Sequence, residues 1–259
     1  MTQSTSTFKP RVALVTGAGR RIGRAIALGL AGAGWDVAVH YRHSAREAFE
    51  TRDAIVALGR RAVALECDLT DEPAVRALPG RAFDALGRLS CIVNNASLFE
   101  YDSATDFSPS LLAAHMSANL AAPLLLAQAL HAATPAGEQA VVINLLDQKL
   151  YNLNPDFLSY TLSKAALDAA TTMLAQALAP RLRLVGIAPG ITLVSGDQSE
   201  EGFSQAHQQT PLKRSSTPQD IADAVVYATS ARALTGTTLV VDGGQHLVPL
   251  ARDVMFLTK

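Results

Sequence analysis

A single α/β domain built on a doubly wound, seven-stranded parallel sheet is what this sequence predicts, and three observations carry the prediction. Short apolar runs alternate with helix-period segments from one end of the chain to the other. Neither a break in composition nor an internal repeat divides the 259 residues, a length that fits one such domain. Polar residues of chemical interest cluster just after the apolar runs, where an open parallel sheet with right-handed crossovers places its ligand crevice.

Composition narrows the function classes. Apolar residues make up 49% of the chain and charged residues 17%, enough to cover both faces of a sheet. The net charge is −1 with no basic block, which argues against a nucleic-acid partner. Cys67 and Cys91 sit in apolar runs without metal-ligand spacing, so buried thiols in a reducing compartment are expected, with no disulfide and no metal. Residues 1–10 carry no apolar core of a signal peptide and are expected to be flexible. No run reaches the ~18 to 20 apolar residues of a membrane span. The expectation is a soluble cytoplasmic protein without a membrane partner.

Taken in order, residues 11–16 (R-V-A-L-V-T) form a buried strand that runs into G-A-G-R-R-I-G and a helix-period segment. Strand, glycine turn and helix together make a phosphate-binding context, in which Gly17 and Gly23 let the backbone approach a pyrophosphate at the helix N-terminus. Residues 35–41 are the second strand. No Asp or Glu follows it to bond a ribose 2′-hydroxyl; the chain offers Arg42, His43, Ser44 and Arg46, which suit a 2′-phosphate and point to NADPH. Ser44 is also a candidate N-cap for the helix over 44–58, closed by Gly59. Residues 61–67 are the third strand; Asp68 and Leu69 follow it, either at an adenine ring or as plain turn residues before a helix capped by Thr70 or Asp71.

Residues 89–93 are strand four, followed by N-N-A-S-L-F. A long apolar helix over 108–133 contains Asn119, with Pro123 marking a kink. Strand five spans 139–146 and strand six 181–188, the latter ending in Pro189-Gly190. The polar stretch 191–210 reads as a mobile lid or disordered loop, within a substrate loop over 191–216. Thr217 caps a helix with Pro218 in its first turn, and 237–241 is the seventh strand. The tail from Gln245 carries enough apolar residues to pack at a subunit interface or over the site.

The chemistry centres on residues 147–164. Tyr160 and Lys164 stand at i and i+4 on one helix face, and Asp147 precedes Tyr160 by 13 positions at the end of strand five. An ammonium beside a phenol favours the phenolate and lowers its pKa. A strand ending at Asp147 delivers its carboxylate to the same place.

The motifs T-G-x-x-x-R-I-G, N-N-A, Asn119, Y-x-x-x-K and P-G, in this order, resemble the short-chain dehydrogenase/reductase family from residue 11 to residue 246. The resemblance implies a Rossmann-type fold, a nicotinamide cofactor and a homodimer or homotetramer. It makes Tyr160 the proton donor, gives Lys164 the nicotinamide ribose, and has Asn119 support a relay water. Arg20, Arg21, Ile22, His40, Tyr41, Asn95, Ala96, Ser97, Pro189 and Gly190 join the cofactor set on the same ground.

Three departures narrow the likeness: Arg21 where the family has glycine, Ser97 where N-N-A-G is usual, and Asp147 where the usual residue is serine. Together they resemble the pteridine reductases and dihydromonapterin reductases. That branch implies a small-molecule pterin or folate substrate oriented by Arg21 and Ser97, with Phe99 stacked on it, though Phe99 is also plausible core filler. A C=N bond needs a proton at nitrogen, which an acid with a raised pKa supplies better than a hydroxyl. Reduction of a carbonyl on the same fold, and a catalytically silent NADPH-binding sensor, are the alternatives.

Overall fold

A computed structural model describes residues 11–194 and 200–256. Residues 1–10, expected to be flexible, and residues 195–199 of the expected substrate loop lie outside the described residues. Seven parallel strands form one sheet: β1 (Val12–Val15), β2 (Asp36–Tyr41), β3 (Ala62–Glu66), β4 (Cys91–Asn94), β5 (Ala140–Leu145), β6 (Leu182–Pro189) and β7 (Thr237–Val241). Their order across the sheet is β3-β2-β1-β4-β5-β6-β7. The strand order reverses between β1 and β4, so the crossovers leave to opposite faces there and a crevice opens beyond the strand ends.

Alternation along the strands explains why both faces are filled. Ala13, Val15, Val37, Val39, Val141, Ile143, Val185 and Ile187 point to one side. There they meet the buried faces of α1 (Arg21–Gly32), α2 (Ala45–Ala57) and α8 (Pro218–Ser230). Val12, Leu14, Ala38, Ile92, Val142 and Leu184 point to the other side. They pack on α3 (Glu72–Leu86), α5 (Ala122–Ala133) and α6 (Leu158–Ala177). Strands buried on both faces need continuous apolar runs, which is what the sequence shows. Cys67 and Cys91 are both buried free thiols.

The helix expected over 108–133 is one rod with a register change, and Pro123 is not a simple kink. α4 (Pro109–Met116) passes into a π-helical turn, Ser117–Ala121, before α5 begins. Pro123 lacks an N–H, so the Asn119 carbonyl has no ordinary i+4 donor. The chain widens to an i+5 bond, from the Ala122 N–H to the Ser117 carbonyl. By length and composition alone the rod is apolar enough to cross a membrane, a test that core helices also pass, and a third of its most apolar window is buried. Ser, His, Asn and Gln spaced along it keep consecutive apolar runs short.

The stretch 191–210 also differs from expectation. Glu200–Gln208 is a helix, α7, with Ala206 buried and Phe203 against His207. Gly202, Phe203, Ala206 and His207 fall at helical spacing, a weak apolar stripe hidden among Glu, Ser and Gln. The tail turns back in two short 3-10 turns, Gln245–Leu247 and Val254–Phe256, and closes over the end of β5 and β6.

Candidate active site

The glycine turn is held from three sides. Gly17 has φ +63°, and its N–H donates to His40 Nδ1 at 3.0 Å. His40 Nε2 lies 3.0 Å from the Cys67 carbonyl, so the ring is a neutral Nε2–H tautomer. Burial lowers its pKa to about 4, which keeps it so. His40 is therefore a buried support for the turn, and Tyr41 is buried at the end of β2 with its ring 6.2 Å from that of Phe49. Asn95 Nδ2 donates to the carbonyls of Thr16 (2.8 Å) and Gly17 (3.3 Å), while Thr16 Oγ1 accepts the N–H groups of Asn95 and Ala96. A Cβ at Gly23 would overlap the Gly17 carbonyl oxygen. Backbone thus fills the space beside the turn, and the first turn of α1 has no acidic residue to oppose an anion.

Arg21 opens α1 with φ +54°, in the left-handed region that normally favours glycine. That conformation explains why glycine is the usual residue there; holding arginine in it costs on the order of 1 kcal/mol. Its guanidinium donates to the Val194 carbonyl at 3.0 Å and lines the cavity, while Arg20 occupies the N-cap position.

At the far end of the crevice, Arg42 pairs with Asp68 at 3.2 Å, and Asp68 also accepts from Thr70 N–H and Oγ1. Arg42 and His43 are exposed, with Ser44 and Leu69 half-buried. Ser44 occupies the N-cap position of α2 but its hydroxyl makes no cap bond; Asp71 caps α3 by accepting from the Ala74 N–H. The end of β2 therefore presents a guanidinium, an imidazole and a hydroxyl together, a set that fits a 2′-phosphate.

The candidate catalytic stretch assembles at the end of β5. Tyr160 Oη donates to Asp147 Oδ2 at 2.8 Å, and the other carboxylate oxygen accepts the Lys149 N–H at 2.8 Å. Lys164 Nζ donates to the Leu145 carbonyl at 2.7 Å and lies 5.7 Å from the centre of the Tyr160 ring. Burial raises the Asp147 pKa, opposed by its two hydrogen bonds. Burial also lowers Lys164 to about 8.

The expectation that Lys164 pulls the phenol down is reversed here. Burial, then the adjacent Asp147 charge, holds the Tyr160 phenol well above its ordinary value. Tyr160 is consequently protonated throughout the neutral range, with a buried carboxyl bonded behind it.

Above this pair, the carboxamide of Asn119 binds the Leu98 N–H (2.8 Å) and carbonyl (3.0 Å) and donates to Ser163 Oγ (3.0 Å). It clamps residues 97–98 against α6, so its side chain is committed to scaffolding. Ser97 Oγ lies 3.2 Å from Asn119 Oδ1. Phe99 is 43% exposed, so it is no core filler; it stacks on Phe157 at 4.4 Å and meets Tyr160 edge-on at 4.7 Å.

These groups surround a cavity of about 250 Å³. It brings together Arg21, Ile22, Asn95, Ser97, Phe99, Asp147, Tyr160, Lys164, Pro189 and Gly190. Gly17, Gly23, Ala96, Arg42, His43, Ser44, Asp68 and Leu69 lie outside it, along the crevice. Sequence reasoning did not single out Lys149, Asn152 or Asp253; Leu250, Val254 and Met255, from the tail expected at an interface or over the site, close one side, and Thr192 comes from the expected substrate loop. Sequence reasoning also missed Asp102, which accepts the Ser159 N–H (2.9 Å) and hydroxyl at the start of α6, where Phe157 has φ +55° and supplies no side-chain cap. The apolar tail was a signal for closure over the site; nothing local marks Asp102 or Lys149.

A family model described as Enoyl-(Acyl carrier protein) reductase matches residues 17–246. The crystal structure of FolM Alternative dihydrofolate reductase 1 from Brucella canis, complexed with NADP, superposes with a TM-score of 0.89. It is 40% identical and covers 94% of this chain and 96% of that one. A dihydromonapterin reductase from Citrobacter koseri is 29% identical over 92% of this chain and 98% of its own. An L-rhamnose 1-dehydrogenase (NAD(P)(+)) from a Sphingomonas species is also 29% identical, over 92% and 96%.

The electrostatics of the phenol are directly measurable. An ultraviolet titration of the protein, minus that of Tyr160→Phe, is expected to show no tyrosinate step below about pH 10. A step below about pH 9 would show that Lys164 outweighs burial and Asp147.

Proposed function

Since the chain belongs to the short-chain dehydrogenase/reductase family, we propose that it is an NADPH-dependent reductase of pterins or folates. The substrates are dihydrobiopterin, dihydromonapterin or dihydrofolate, taken to the tetrahydro form, and the setting is the cytoplasm. One observation carries the reading: the Tyr160 hydroxyl is bonded to a buried acid, Asp147, and not to a serine hydroxyl. The names of the Brucella canis and Citrobacter koseri relatives support the same substrate class.

The residues present fit the nucleotide. Gly17, Arg20, Arg21, Ile22 and Gly23 would hold the pyrophosphate at the start of α1. Arg42, His43 and Ser44 would take the 2′-phosphate, and Asp68 and Leu69 the adenine. Asn95, Ala96, Ser97, Lys164, Pro189 and Gly190 would hold the nicotinamide end. When bound, the nucleotide supplies hydride to the carbon of the C=N bond. Tyr160, hydrogen-bonded to the buried Asp147, delivers the proton to nitrogen, and the phenol recovers a proton from solvent through that pair. Phe99 stacks on the pterin ring, Arg21 and Ser97 orient it, and the Asn119 carbonyl, relieved of its i+4 donor by Pro123, carries the relay water.

The unit that performs this is a homodimer or homotetramer. Leu162 and Met173 stand exposed on α6, at 46% and 67%, beside the apolar rod over 109–133. A second copy of the chain covers that face.

Two measurements check the proposal. NADPH oxidation is expected with at least one of the three dihydropterin substrates; no turnover with any of them sinks the substrate assignment. Sedimentation velocity is expected to find a dimer or tetramer that Leu162→Asp combined with Met173→Glu dissociates; a monomeric wild type contradicts the assembly.

A further inference from the structure

Lys149 is almost fully buried, yet its place in the sequence, between a strand end and a loop, gives it no obvious partner. The structure supplies two sets of bonds. Its backbone N–H donates to Asp147 Oδ1 at 2.8 Å. Its ammonium donates to the Asp156 carbonyl at 2.5 Å and to Asp253 Oδ2 of the tail at 3.2 Å, and lies 5.3 Å from the centre of the Phe157 ring. One residue therefore touches the catalytic acid, the aromatic behind Phe99 and the chain's own C-terminal segment.

The tail is tied down at more than this point. Arg252 forms a two-pronged ion pair with the buried Asp156 carboxylate, at 2.7 to 3.0 Å, and Asp156 also accepts the Asp253 N–H at 2.7 Å. Asn152 donates to the Val248 carbonyl at 2.7 Å. Phe256 faces Phe157 at 6.2 Å, with the edge of Tyr101 closing the gap between them. Phe157 thus meets both Phe99 and the tail. Met255 and Val254, held by these contacts, line the cavity.

Asp253 is the carboxylate bonded to the buried Lys149 ammonium, and separating a buried pair is strongly unfavourable, so this contact favours the docked tail. We infer that Lys149 is a positioning residue for the reaction, and that through Asp253 it fastens the C-terminal segment 250–256 as the substrate-side wall of the active site. The nucleotide end of the crevice, at Gly17, Arg42 and Asp68, lies outside these contacts. Loosening the tail therefore affects the substrate and spares the nucleotide. The kinetic consequence rests on the pterin reading; the docking itself does not.

Two arms test it. Lys149→Met keeps the backbone N–H that holds Asp147 while removing the ammonium. Hydrogen exchange of the full-length protein is expected to be faster by about 10-fold or more over residues 250–256 in this variant, without any substrate. In turnover, the substrate KM is expected to rise about 10-fold or more, the NADPH KM to stay within about twofold, and kcat to fall by less than the substrate KM rises. Arg252→Met, on the half-exposed outer side, is expected to act in the same direction if Lys149→Met proves insoluble. The double variant is expected to be no worse than the worse single, since both release one segment. Unchanged exchange in both variants overturns the inference, and so does an equal rise of both KM values. If the wild type reduces no pterin, the substrate assignment falls, and the exchange arm alone decides the latch.

Discussion

The 2.8 Å hydrogen bond between Tyr160 and Asp147 is the contact on which the site depends. Two groups that would each prefer water are buried against each other, and burial favours the protonated form of both. Much of the surrounding structure serves to make that pairing unavoidable. β5 carries Asp147 to its end, Asp102 caps the helix that carries Tyr160, and the Lys149 N–H fixes the second carboxylate oxygen. Lys164, bonded to the Leu145 carbonyl, supplies positive charge without touching the phenol oxygen.

The sheet, its strand ends and the glycine turn were legible in the sequence because each rests on a short-range rule. Apolar runs buried on both faces read as parallel strands, and Gly17 and Gly23 occupy positions where a side chain meets backbone or neighbouring atoms. The Tyr160, Lys164 and Asp147 set was legible through helical spacing and position after β5. What escaped was long-range or energetic. The direction of the Tyr160 shift depends on how far the site is buried, which spacing does not reveal. His40 reads as a strand-end residue and turns out to be a neutral, buried prop for the Gly17 amide. α7 hides its stripe in a polar stretch, and nothing in the apolar spacing marks the π turn at Asn119.

The tail shows how a site can be completed by a segment far away in sequence. Lys149 and Asp253 are 104 positions apart, and Asp156 and Arg252 are 96 apart. Each pair puts one charge at a position buried from solvent and the other on the incoming segment. Such pairs add little net stability to a fold but strongly disfavour any arrangement that separates them. Specificity of docking, more than strength, is what they contribute, and it falls on one wall of the cavity.

The central claim is that an acid in the place of a hydroxyl directs reduction to nitrogen. Replacement by serine, Asp147→Ser, assayed with NADPH against a dihydropterin and a ketone in parallel, tests it most directly. The account predicts a loss of pterin turnover of ~100-fold or more, with ketone reduction unchanged or gained. Wild-type pterin rates in that variant would contradict it.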